Sequence, residues 1–250
     1  MSLIAIIGGT GLTEFPELDI KKVHSQVETA FGKPSDDIVE GELHGQRLLF
    51  LPRHGKSHAV APHKINYRAN LLALQSLGAD SMIAVNAVGG IHCDAIAGHI
   101  SVPDQIIDYT HGREHTYFDG EFRPLGHVEF SYPYDEILRQ KLIKVLSVHH
   151  LSHGFSKSGV YGVTQGPRLE TIAEIKRLEN DGCDLVGMTG MPEAVLAREL
   201  GIPYASLCLV VNAAAGKTDA MITIEEIRSV LNCGMRQIKS IIADFCKTSP

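Results

Sequence analysis

At 250 residues, with 44% of them hydrophobic and 21% charged, the chain is long enough to bury a full core without disulfide or metal staples. A net charge of −6 leaves no basic footprint for nucleic acid or an anionic membrane surface, so an anionic ligand must be held by a few placed donors. No apolar run approaches the roughly 20 residues that a membrane span needs.

The start, MSLIAIIGGTG, has no basic lead and no cleavage site, and reads as a first strand over 3–9 rather than an export signal. Further apolar strands are predicted over 46–52, 80–90, 99–108, 158–166, 183–190 and 204–212. Helical spacing occupies 63–79, 133–149, 168–182 and 191–201, and an amphipathic helix over 223–247 closes the chain. Continuous Val/Ile/Leu strands alternating with helices predict an α/β fold. The expected form is a single domain over 1–250, with a mixed, largely parallel twisted sheet flanked by helices. Five cysteines without CxxC spacing read as buried free thiols in a reducing cytoplasm.

Ligands of such sheets sit beyond the carboxyl ends of the strands. That rule selects five segments, 8–12, 52–54, 86–90, 188–190 and 212–214, expected on one rim. In GGTGL, glycines let backbone N–H groups approach an anion, and Thr10 adds a hydroxyl; a plain tight turn fits equally well. LPRHGKSH sets Arg53 and His54 at a strand end, as a forked cation and a ring donor, or as a solvated basic loop. VNAVGG and GMTG contribute Asn86, Ala87 and Thr189 in turns. Donor-rich turns with no carboxylate cluster beside them fit an anion better than a metal. The HxxxH spacings of His54/His58 and His111/His115 lack an HExxH context, so no metal site is expected. No GxSxG turn marks a serine hydrolase. In SLCLVVNAAAG an apolar strand ends on one amide, Asn212, and then turns small at Ala213 and Ala214, which reads as a pocket floor.

Taken in order, IIGGTGL, LPRHG…H…PHKINYRANL, VNAVGGI, PDQIID, QGPRLET, VGMTGMPEAVLARELGIPYASL and the final amphipathic helix resemble the trimeric purine nucleoside phosphorylase and methylthioadenosine phosphorylase family along nearly the whole chain. The resemblance implies cleavage of a purine nucleoside by inorganic phosphate as co-substrate, with no cofactor or metal, in a cytoplasmic homotrimer. It assigns phosphate to Thr10, Arg53, His54, Asn86, Ala87 and Thr189. Met188 would pack under the sugar, and His127 would reach across the trimer interface. Asn86 stands where many relatives have threonine.

The resemblance also gives Asn212 a task. Enzymes of the family that take adenine nucleosides place aspartates on this strand, and those that take 6-oxopurines place asparagine, whose NH₂ can donate to O6 or N7. Here Asn212 and Ala214 hold the two positions, flanking Ala213, and neither is an acid. Glu170, in GPRLET, matches a glutamate that accepts the N1–H of a 6-oxopurine; read alone, it is a solvated first-turn acid favoured by the helix dipole. Ile224 stands where a 5′-hydroxyl-binding histidine would be, as in the methylthio enzymes, although its spacing with Ile227 and Leu231 also suits plain core. A 6-oxopurine base pocket beside a methylthio sugar pocket implies 5′-methylthioinosine as substrate. The alternatives are inosine or guanosine, methylthioadenosine, or a non-catalytic purine-binding regulatory protein.

Overall fold

The computed structural model describes residues 2–219 and 221–248. Its strands in chain order are β1 (Leu3–Gly8), β2 (Asp19–His24), β3 (Ile38–Leu43), β4 (Gln46–Pro52), β5 (Ser81–Gly90), β6 (Ile100–Ser101), β7 (Gln105–Asp108), β8 (Phe155–Ser156), β9 (Val160–Val163), β10 (Leu185–Gly187) and β11 (Tyr204–Ala213). The helices are α1 (Tyr67–Ser76), α2 (Glu136–Leu146), α3 (Ile172–Asn180), α4 (Gly190–Leu200) and α5 (Ile224–Thr248).

All six residues of β1 are buried. Strand geometry sends Leu3, Ala5 and Ile7 into one core and Ile4 and Ile6 into the other, so the sheet is covered on both faces. Residues of α1 and α4 complete the first core, and those of α2 and α5 complete the second. The strands form one mixed sheet with a parallel centre, in which β4, β1, β5 and β11 all run the same way.

The sheet splits along β5. One edge of β5 is paired with β11 from Met82 to Gly90. The other edge pairs with β1 only as far as Ala84 and with β10 only from Gly89 onward. Between them, Val85–Val88 has an open side. The gap opens a crevice beside the middle of β5, between parallel β1 and antiparallel β10.

Four details depart from the sequence expectation. The charged edge strand β2, its partner β3 and the two-residue β8 were not anticipated. The run over 99–108 breaks at Val102 into β6 and β7. Residues 86–90 form the second half of a ten-residue strand rather than a turn, because β11 pairs with them throughout. Finally, the cysteines are free, but Cys93 and Cys233 are exposed and only Cys183, Cys208 and Cys246 are buried.

Candidate active site

A cavity of about 520 Å³ opens at the split, within the range of small-molecule sites. All five predicted rim segments reach it, through Thr10, Arg53 and His54, Ala87, Met188 and Thr189, and Asn212 and Ala214. Glu170 and Ile224 line it as well.

Arg53 follows β4 and is 0% exposed. Its Nε and Nη2 donate to the two Glu193 carboxylate oxygens at 2.7 and 2.8 Å, and its Nη1 donates to the Val85 carbonyl at 3.1 Å. Three of five guanidinium N–H groups are taken, leaving one on each Nη. Arg53 is therefore not the free fork expected from the sequence, although it still lines the cavity. Burial opposes its charge, but Glu193 outweighs that and holds its pKa above the ordinary value. Gly9 makes room for this arrangement: a Cβ there would lie 2.9 Å from Arg53 Nη1 and 2.4 Å from the Val85 oxygen.

His54 Nδ1 lies 2.8 Å from the Val60 carbonyl, which can only accept, so Nδ1 carries the proton. Burial pushes the pKa down to about 4, helped by the nearby Arg53 and His58 charges, and the ring is neutral at physiological pH with Nε2 an acceptor. His58 stacks on it with centroids 4.6 Å apart and bonds Thr10 Oγ1 through Nε2 at 3.0 Å. The HxxxH pair is thus spent on a carbonyl and a hydroxyl.

Asn86 corrects a further expectation. Its side chain is turned inward, with Nδ2 donating to Ser206 Oγ at 2.7 Å and Oδ1 accepting from Thr189 Oγ1 at 2.9 Å. It does not line the cavity. It fixes the Thr189 hydroxyl instead, and Thr189, the N-cap residue of α4, makes no side-chain cap bond of its own.

Asn212 sits where β11 carries one extra residue: Val210 pairs with Val88 and Asn212 with Gly89, leaving Val211 unpaired. A bulge of this kind re-aims the side chains beside it. Asn212 Nδ2 donates to the Ala213 carbonyl at 2.7 Å, which leaves its second N–H and Oδ1 for a ligand. Ala213 itself does not line the cavity. Glu170 is not a first-turn acid, because Thr171 caps α3 in a capping box with Glu174 and Glu170 precedes the cap. Ile224 is 54% exposed at the start of α5, lining the cavity beside Ile222 and Ile227, and is not core. His127 is exposed and lies off the cavity of its own chain.

The model of the phosphorylase superfamily matches residues 3–247. The chain belongs to that superfamily. Among phosphorylase relatives, the probable S-methyl-5′-thioinosine phosphorylase of Pseudomonas syringae pv. tomato is 52% identical over 249 residues, covering 100% of both chains. The 6-oxopurine nucleoside phosphorylase of Pyrococcus furiosus is 40% identical, covering 97% of this chain and 91% of its own. Methylthioadenosine phosphorylase from Schistosoma mansoni, solved with adenine, superposes with a TM-score of 0.93 at 30% identity, covering 99% of this chain and 91% of that one.

Two residues that shape the cavity, Glu193 and Arg113, were not predicted from the sequence. Glu193 carried a signal, since a lone acid in the apolar run MPEAVLA needs a buried partner. Arg113 carried none. From an irregular segment it donates to the carbonyls of Met188 and Met191 at 2.9 and 2.7 Å, and of Thr164 and Gln165 at 3.2 and 2.9 Å, tying two cavity loops together.

Proposed function

We propose that this phosphorylase cleaves S-methyl-5′-thioinosine with inorganic phosphate, giving hypoxanthine and 5-methylthioribose 1-phosphate. The observation that carries the reading is the composition of one cavity. An amide and a carboxylate, Asn212 and Glu170, share it with an isoleucine wall at Ile222, Ile224 and Ile227 and with the Thr10–Arg53–Thr189 end.

In this reading phosphate lies among Thr10, Arg53, Ala87 and Thr189, with Asn86 acting through Thr189. His54 is not the ring donor expected from sequence, because its one N–H is held by Val60, and its Nε2 faces the phosphate as an acceptor for a P–OH group. A phosphate oxygen forms a bond to C1′ as the C1′–N9 bond breaks, the bonding pair leaves with the purine, and the purine anion takes up one proton from solvent to give hypoxanthine. The sugar passes through an oxocarbenium-like state, which the phosphate charge stabilises. Asn212 donates to the base as its negative charge grows, a contribution on the order of 3 kcal/mol for a desolvated donor. Glu170 accepts the N1–H of hypoxanthine, whereas adenine would meet it with a lone pair. Met188 packs under the ribose, and no metal or organic cofactor takes part. An apolar wall at Ile224 suits a methylthio group and leaves a 5′-hydroxyl without a partner. The full-length relative from Pseudomonas syringae, named for this activity, supports the same choice.

The working form is proposed to be a cytoplasmic homotrimer, in which His127 of one protomer completes the sugar end of its neighbour. Among the described residues, no helix is long and apolar enough to cross a membrane. Release of hypoxanthine that depends on phosphate tests the reaction. Replacing Ile224 with histidine tests the sugar pocket, and should raise kcat/KM for inosine relative to methylthioinosine. If wild type already prefers inosine, the second reading, a 6-oxopurine nucleoside phosphorylase like the Pyrococcus relative, takes its place.

A further inference from the structure

The carboxylate that reads the base sits in a loop, and loop carboxylates swing unless something holds them. Glu170 ends the segment 164–170, which links β9 to the Thr171 cap of α3. The residue that opens the segment, Thr164, is fixed on three sides. Its N–H donates to the Gly187 carbonyl at 2.8 Å, and its carbonyl accepts from Arg113 Nη2 at 3.2 Å. Its hydroxyl donates to Glu170 Oε1 at 2.5 Å, the length of a charge-assisted O–H···O⁻ bond. No hydrogen bond to Glu170 Oε2 is present among the described residues, and Glu170 lines the cavity whereas Thr164 does not.

We infer that Thr164 is a positioning residue for base specificity, aiming one Glu170 oxygen at the N1–H of a 6-oxopurine by holding the other. The inference rests on the reading of Glu170 as the N1–H acceptor. Thr164 touches no ligand. Its hydroxyl has one hydrogen, and the Glu170 oxygen at 2.5 Å takes it ahead of the Gly187 carbonyl at 3.4 Å, which disfavours the rotamers in which Glu170 would turn away from the base. A rigid acceptor also keeps adenine out, because its lone pair cannot rotate away from that of adenine N1. A valine of the same shape keeps the packing of Thr164 and removes only the donor.

The test is a double-mutant cycle on the full-length enzyme, measuring kcat/KM for methylthioinosine and methylthioadenosine with saturating phosphate. Thr164→Val is expected to lower kcat/KM for methylthioinosine by about tenfold, as for one hydrogen bond to a charged group. It should leave methylthioadenosine nearly unchanged or slightly improved, and Thr164→Ser should restore most of the loss. In a Glu170→Gln background the same valine should cost less than about twofold, a coupling that a merely structural threonine would not give. If Thr164→Val lowers both substrates equally, or costs as much without Glu170 as with it, the inference is overturned while the reading of Glu170 stands. If wild type does not favour methylthioinosine, or Glu170→Gln does not change the preference, the underlying reading fails first. Should Thr164→Val not fold, Thr164→Ala carries the same cycle, with melting temperature recorded for every variant.

Discussion

Arg53 and Glu193 show how a cation proposed to bind phosphate can be held ready without being free. The pair is fully buried and bidentate, and Glu193 also accepts the Tyr204 hydroxyl at 2.9 Å. Removing one member strands the other in the core, which typically costs about 3–5 kcal/mol. Glu193→Ala should therefore lower the melting temperature sharply and raise the KM for phosphate, because the guanidinium loses its anchor. A variant that melts like wild type would contradict the pairing. His54 gives a prediction in pH. Its folded pKa is pushed down to about 4, below the unfolded value of about 6.5, so the unfolded chain binds more protons between them. Its contribution, roughly 3 kcal/mol, is complete above pH 6.5 and is lost as pH falls toward 4. Denaturant unfolding of wild type and His54→Gln across pH 4–7 should show that slope in wild type alone.

Among the elements, the central strands were legible as continuous apolar runs, and the five helices as segments of helical spacing between them. The edge strands were not: β2 reads DIKKVH, charged and exposed, and it pairs only through β3. The strand-end rule found all five cavity segments, but its reasoning holds only for those after β1, β4 and β11; 86–90 lie within β5, and 188–190 follow β10, which runs antiparallel to β5. It did not find which side chains turn inward, because the roles of Asn86 and Arg53 depend on partners more than 100 residues away, Ser206 at 120 and Glu193 at 140. Nor did it find Arg113 or the loop geometry around Glu170. There Gly166 has φ +61°, and a Cβ on it would lie 2.4 Å from Met188 Sδ. Gly166→Ala combines a strained backbone with that overlap. It should cost about 1–3 kcal/mol in stability and displace Met188, lowering kcat/KM for nucleosides. Unchanged kinetics would show that this contact has no part in catalysis.

Across the whole molecule, the net charge of −6 and the pairing of Arg53 with Glu193 leave anion binding to short-range donors rather than to a broad positive field. His127 lies off the cavity of its own chain, so the role proposed for it at the sugar end requires a second protomer. Sedimentation should give a species near three times the 27.2 kDa chain, and His127→Ala should weaken turnover of methylthioinosine without dissociating it. A fully active monomer would contradict that assembly. The central claim is that Asn212 and Glu170 read a keto purine. It is tested most directly by the ratio of kcat/KM for S-methyl-5′-thioinosine to that for S-methyl-5′-thioadenosine, with the wild-type enzyme and saturating phosphate. Two mismatched groups at about 1–3 kcal/mol each predict a ratio of roughly thirty or more. A ratio at or below one would contradict the account.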